Sequence, residues 1–209
     1  MRVVALFCLA AIVLSSDRVI AEVDFERILH AAEEPHNWLT YNGGYSSQRY
    51  SKLKQITRRN VDKLELKWIL QNQVFGAWQS NPIIVDGIMY LTERPNDVMA
   101  VDAVTGRVFW IYRHTPAANT QVCCGANNRG VAVLGDKVYS GTLDGSLIAL
   151  DRINGKLLWS VEVGDVNLAY SVTMAPIAVK DKIIVGVGGG EYGIRGYVVA
   201  YDAASGEQA

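Results

Sequence analysis

The strongest constraint on this chain is an internal repeat. VMAVDAVTGRVFW (98–110), LIALDRINGKLLW (147–159) and VVAYDAASGEQA (198–209) superimpose, each carrying Ala, one residue, Asp, three residues and Gly. The aspartates are Asp102, Asp151 and Asp202, and Trp110 and Trp159 follow four residues after their glycines. A second element precedes each copy: IIVDGIMYLT (83–92), AVLGDKVYSGT (132–142) and IAVKDKIIVGV (177–187). Each is an apolar run, a polar two-residue turn and another apolar run, which is β-hairpin grammar. Four short strands per unit of about 50 residues predict an all-β chain built of propeller blades. A β-sandwich is the rival, but two independent elements sharing one period argue against it.

The unit has a physical logic. Alternating apolar residues make half-buried strands. Asp bonds nearby backbone amides, and Gly accepts the positive φ of a tight turn. The Trp is then placed to fill space between neighbouring sheets. One blade cannot bury both of its faces, so blades need neighbours. Residues 67–209 hold about three units, whereas a closed propeller has at least four. The expectation is a partial propeller, the N-terminal part of a longer protein, with residues 22–66 as a leading segment of short helices.

Two helical turns are predicted in that segment. Phe25, Ile28, Leu29 and Ala32 lie at i, i+3, i+4 and i+7 within 24–34, with Asp24 as N-cap and Pro35 as stop. Residues 57–66 suggest a second turn capped by Thr57. Residues 1–21 read as a secretory signal peptide: Arg2, an apolar Val3–Leu14 stretch, and Val19-Ile20-Ala21 before a cleavage point. An uncleaved anchor is the alternative. The body has no apolar run long enough for a membrane span, and export points to a periplasmic location.

Composition excludes other classes. A net charge of −1 lacks the basic excess of a nucleic-acid binder. His30, His36 and His114 are scattered, which argues against a histidine metal cluster. Cys8 falls in the signal stretch, leaving Cys123 and Cys124 in a mature chain. Adjacent cysteines are either two free thiols or a strained vicinal disulfide, and oxidising surroundings permit the second.

Two further segments carry potential chemistry. Gly188, Gly190 and Gly193 formally satisfy G-x-G-x-x-G, but a strand pattern follows where a dinucleotide fold needs a helix. The segment reads either as a flexible hairpin tip or as a close approach to a flat ligand, with Glu191 aimed at a hard cation. Arg129, in Asn127-Asn128-Arg129-Gly130, is either a surface arginine or a donor fork for carboxylate and quinone oxygens.

Taken together, these residues resemble the pyrroloquinoline-quinone (PQQ) dependent alcohol dehydrogenase family. The stretch 37–68 is similar to that family's N-terminal signature, CCGANNRG (123–130) to its vicinal-cysteine loop, and TMAP (173–176) with GGGEYGIRGYVVAYD (188–202) to its cofactor and metal segment. The resemblance implies an eight-bladed propeller, of which this sequence holds about three blades. It implies that a Cys123–Cys124 disulfide stacks on PQQ and that Arg129 donates to the quinone oxygens. Thr173 would bond the cofactor, with Gly188, Gly189 and Gly190 along its edge, and Glu191 would ligate Ca²⁺ or a lanthanide. Gln79 stands where many relatives have a cofactor-contacting Glu, and Asn42-Gly43 departs from the usual Gly and basic residue. The family's catalytic aspartate lies beyond residue 209, so no catalytic base is assigned here; Asp144, Asp151 and Asp202 are turn residues. The implied reaction oxidises a small primary alcohol to an aldehyde and passes electrons to cytochrome c. The alternative is a non-catalytic propeller scaffold with similar repeats.

Overall fold

The computed structural model describes residues 21–209 apart from Gln73 and Ala77. The signal-peptide reading therefore lies, but for Ala21, outside the described residues. The repeats fold as expected into antiparallel sheets. The first contains β1 (Ile83–Val85), β2 (Ile88–Glu93), β3 (Asp97–Asp102) and β4 (Val108–Tyr112), hydrogen-bonded in that order. The second contains β5 (Ala132–Leu134), β6 (Lys137–Gly141), β7 (Ser146–Asp151) and β8 (Leu157–Glu162), again in sequence order. The third contains β9 (Ile177–Val179), β10 (Lys182–Gly186) and β11 (Val198–Asp202).

The Asp-x₃-Gly element makes the same turn three times. Asp102 Oδ1 accepts from the amides of Val104 and Thr105, Asp151 Oδ1 from Ile153 and Asn154, and Asp202 Oδ1 from Ala204 and Ser205. Gly106, Gly155 and Gly206 each donate back to their aspartate's carbonyl and sit at φ +74°, +73° and +78°. An L side chain rarely adopts that conformation, which explains the glycine at that position.

The glycines serve a second purpose. A Cβ on Gly155 would lie 2.5 Å from the Trp110 ring, and one on Gly106 would lie 2.7 Å from Trp68. A Cβ on Gly206 would lie 3.0 Å from Trp159. Each tryptophan thus lies flat over the turn of the following sheet. Trp110 Nε1 donates to Arg152 O at 3.1 Å, and Trp68 Nε1 donates to Ala103 O at 3.2 Å, both one residue past a turn aspartate. The expected space-filling role holds, and Trp68 is an additional member of the series. The continuous core between sheets includes Ile83, Tyr90, Val138, Leu147, Ile148, Leu150 and Ile183, each no more than 1% exposed. Each such aliphatic burial contributes roughly 1.5–3 kcal/mol.

The leading segment departs from the helical expectation. The α-helix spans only Phe25–Leu29, with the expected Asp24 cap accepting from Arg27 N at 2.7 Å. At His30 the backbone leaves helical values, and Ala31–Glu33 continues as a 3₁₀ turn. The tighter winding shifts the period, so Ala31 is buried while Leu29 is 50% exposed and Ala32 faces solvent. The second predicted turn shrinks to Val61–Lys63, preceded by Asn60 rather than Thr57. Asn60 Oδ1 instead accepts from Thr57 N and Oγ1, closing the bend beforehand. No helix of the described residues is long and apolar enough to cross a membrane.

Candidate functional site

The connection from β4 to β5 carries CCGANNRG, and its sequence dictates how it is held. Cys123 and Cys124 form a vicinal disulfide with Cα atoms 3.8 Å apart, and both residues are exposed. Asn127 Nδ2 donates to Cys124 O at 3.0 Å. Arg94 Nε, from the β2–β3 turn, donates to Ala126 O at 3.0 Å. Asn128 is buried and donates to Gly141 O at 2.7 Å, while its Oδ1 accepts from Gly130 N at 2.9 Å. Gly130 sits at φ +126°, where a Cβ would lie 2.9 Å from Asn81 O. The loop is thereby fixed to both the first and the second sheets.

Arg129 ties the loop to the approach to β9. Its backbone N–H and its Nη1 both donate to Thr173 O, at 3.1 and 3.2 Å. Thr173 belongs to a segment, 171–173, in which Val172 is fully buried and its amide donates to Thr142 O. Side chains of an extended segment alternate, so Ser171 and Thr173 face the opposite way. Ser171 forms a bridge with Gly188, each donating to the other's carbonyl at 3.2 and 2.8 Å.

The glycine-rich segment is ordered rather than a loose tip. Gly189 sits at φ +124° in a place where a Cβ would lie 2.4 Å from Ala169 O and from the Ile194 side chain. Gly190–Tyr192 form a 3₁₀ turn ending at Gly193, φ +82°. This turn carries Glu191 to the disulfide, with Oε1 3.3 Å from Cys123 Sγ. A disulfide sulfur has no proton to donate, so this is a van der Waals approach and not a hydrogen bond.

These elements enclose an open cleft lined by Cys123, Cys124, Arg129, Thr173, Gly188, Gly189 and Glu191. Of the residues singled out in the sequence, Gly190 opens the 3₁₀ turn and is not among the lining residues. Gln79 is exposed and is not among the lining residues. Ser171, Asn127 and Tyr192 also line the cleft and were not anticipated. For Ser171 the signal was present: it precedes Thr173 by two residues in an extended run.

The cleft wall suits a flat, polar group. A disulfide offers an exposed, polarisable face, the glycines leave room along an edge, and Arg129 supplies a fixed cation. Among the described residues no three His, Cys, Asp or Glu side chains cluster as a metal site. Glu191 would therefore supply one ligand, whereas a hard cation takes six or more oxygens.

Nearby, His114 and Asp144 anchor the base of the same connection. His114 Nε2 lies 3.0 Å from Asp144 Oδ1, and Ala117 N donates to Asp144 Oδ2 at 3.1 Å. Burial alone would raise the Asp144 carboxyl. The hydrogen bonds from His114, Thr142 and the Ala117 amide outweigh burial and hold it well below its ordinary range.

Comparison with known proteins identifies the family and the fold. Residues 38–209 match the PQQ family model described as the glucose/ethanol/alcohol dehydrogenase β-propeller domain. The chain is 45% identical over 195 residues to the quinohemoprotein alcohol dehydrogenase ADH-IIG of Pseudomonas putida, covering 90% of this chain and 27% of that protein. It is 38% identical to the lanthanide-dependent methanol dehydrogenase of Methylacidiphilum fumariolicum, covering 88% of this chain and 31% of the relative. The solved structure of ADHIIG superimposes with a TM-score of 0.87 at 44% identity, over 90% of this chain and 28% of that one. A europium-containing methanol dehydrogenase superimposes with a TM-score of 0.83 at 37% identity, over 88% and 33%. The chain thus spans about a quarter to a third of the length of the relatives it matches.

Proposed function

The chain belongs to the PQQ family of glucose, ethanol and alcohol dehydrogenase β-propellers, and from that premise we propose that it forms one wall of a quinoprotein alcohol dehydrogenase site. The substrate is a small primary alcohol, oxidised to an aldehyde in the periplasm with cytochrome c receiving the electrons. The carrying observation is the convergence on one cleft of the Cys123–Cys124 disulfide, Arg129, Thr173, Gly188, Gly189 and Glu191 from three separate segments.

When bound, PQQ with its metal ion supplies a two-electron acceptor polarised by a Lewis acid. The residues of this chain do the binding and the orienting. The disulfide presents a rigid face for stacking. Arg129 is held by Thr173 O, so its fork is pre-positioned and loses little freedom on engaging an anionic oxygen. Gly188 and Gly189 keep side-chain atoms away from the ring edge. Glu191 contributes one carboxylate to a cation, and the choice between Ca²⁺ and a lanthanide rests on ligands supplied from elsewhere. None of the described residues is placed as the base that accepts the alcohol proton. Asp144, which anchors the base of the β4–β5 connection, is engaged by His114.

The test uses the full-length gene product, purified without cofactor. Ethanol-dependent dye reduction should appear only on adding PQQ with Ca²⁺ or a lanthanide, and Glu191→Gln should abolish it. Residues 22–209 alone should show no turnover. A folded full-length protein without PQQ-dependent activity towards any primary alcohol would favour a non-catalytic scaffold.

A further inference from the structure

Arg152, one residue past the turn aspartate of the second sheet, is only 3% exposed. Its backbone has a clear structural task. The N–H donates to Asp136 O, and the carbonyl accepts from Trp110 Nε1. Its guanidinium is harder to explain. Nε and Nη1 are buried without a hydrogen-bond partner among the described residues, and Nη2 donates to Ala21 O at 2.7 Å. Asp86 and Asp136 lie within reach of its charge, but they pair with Arg27 and Lys137. A buried charge is costly unless it is hydrogen-bonded. Among the described residues, the Ala21 carbonyl is the acceptor that this guanidinium has.

Ala21 opens a segment that is docked residue by residue. Glu22 O accepts from Arg27 Nη1 at 3.4 Å. Val23 is fully buried and exchanges backbone hydrogen bonds with Gly135, in the β5–β6 turn, at 3.5 and 2.8 Å. The leader expected from the sequence ends inside this docked segment, at the Ala21–Glu22 bond. Hydrolysis there carries the Ala21 carbonyl away with the leader. The remaining chain keeps a buried guanidinium without that acceptor. It also gains an α-ammonium on Glu22, one bond from the carbonyl carbon that Arg152 had held, and like charges so placed repel.

We propose that Ala21 is an integral residue of the mature protein, latched by Arg152, and that the processing site lies N-terminal to it. A leader peptidase hydrolyses an upstream peptide bond, water supplying the hydroxyl to the leader's new carboxyl and the proton to the new amine. The sequence offers a place for it: Ser15 and Ser16 are small residues directly after the apolar Val3–Leu14 stretch. The latch is independent of the cofactor and of the cleft; the position of the cut depends on the leader being removed.

The experiment is N-terminal sequencing of the full-length gene product purified from the periplasm of a Gram-negative host, paired with hydrogen exchange. The chain should begin at Ala21 or at a residue between Met1 and Ala21. A start at Glu22 or beyond overturns the proposal, and an intact Met1 overturns it together with the leader reading. For the latch, substituted leaders fix the start of the full-length protein at Ala21 or at Glu22. Loss of a hydrogen bond to a charged donor predicts that amides of residues 22–29 exchange about tenfold or more faster in the Glu22-start protein. With Arg152→Met in both, the two starts should exchange within about threefold of each other. Equal exchange of the two starts with Arg152 present overturns the latch, and that comparison stands by itself should the variant misfold. An undiminished difference in the Arg152→Met pair also overturns it, because the shortening then acts without the guanidinium.

Discussion

At position 129 the backbone and the side chain act on one acceptor. Both donate to Thr173 O, so the guanidinium is aimed by the same contact that fixes the chain. Replacing Arg129 by Lys keeps the charge but loses the fork, and should weaken PQQ binding at least tenfold with little change in thermal stability; the paired measurement is a PQQ titration and a melting curve. Gly189 is the most constrained glycine of the wall. Gly189→Ala forces a Cβ to 2.4 Å from Ala169 O at φ +124° and should cost about 1–3 kcal/mol, read as a lower urea midpoint. Asp144 makes a pH prediction. Its folded-state carboxyl is depressed below the ordinary 3.8, so its contribution is fully present above that value and is lost as pH falls towards the depressed one. The stability advantage of wild type over Asp144→Asn should be flat from neutral pH to about pH 5 and shrink on further acidification. Urea titrations across that range check the sign; an advantage that grew in acid would refute it. At this scale the sequence was legible where residue types are chemically unusual, as in the adjacent cysteines and Glu191. Ser171 and Asn127 are ordinary residues whose importance comes from partners distant in the chain. Gln79, singled out by the family resemblance, is exposed and is not among the residues lining the cleft.

The recurring element is a turn and a docked ring acting together. The aspartate closes the turn, the glycine gives it its conformation, and the missing side chain admits the tryptophan of the preceding sheet. Trp110 is 9% exposed, and its indole N–H reaches the carbonyl of Arg152 in the next sheet. Trp110→Ala should destabilise by about 3–5 kcal/mol. Gly155→Ala should also destabilise, because a Cβ would meet the ring at 2.5 Å; denaturant unfolding of both variants and their double mutant would show strongly non-additive costs, as one interface is lost in each. Strands were legible because their period and turn chemistry repeat and each copy corroborates the others. The first helix was legible only at its capped start. Its continuation depended on packing that breaks the helical period at His30, and a single short segment offers no second copy against which to check the pattern. Trp68 was overlooked because its own strand pattern is absent, although its docking on Gly106 repeats the geometry of Trp110 on Gly155.

Over the whole molecule, three sheets stand side by side and the loops at one end converge on the disulfide cleft. The architecture explains why residues separated by 68 positions, Cys123 and Glu191, come within 3.3 Å. This chain covers 28% of the solved ADHIIG structure. The most direct test is a crystal structure of the full-length protein grown with saturating PQQ. Planar density should pack against the Cys123–Cys124 disulfide, bounded by Arg129 and Thr173, with a cation at Glu191. Density for PQQ elsewhere, or a cleft that stays free of it while the cofactor is bound, would contradict the account.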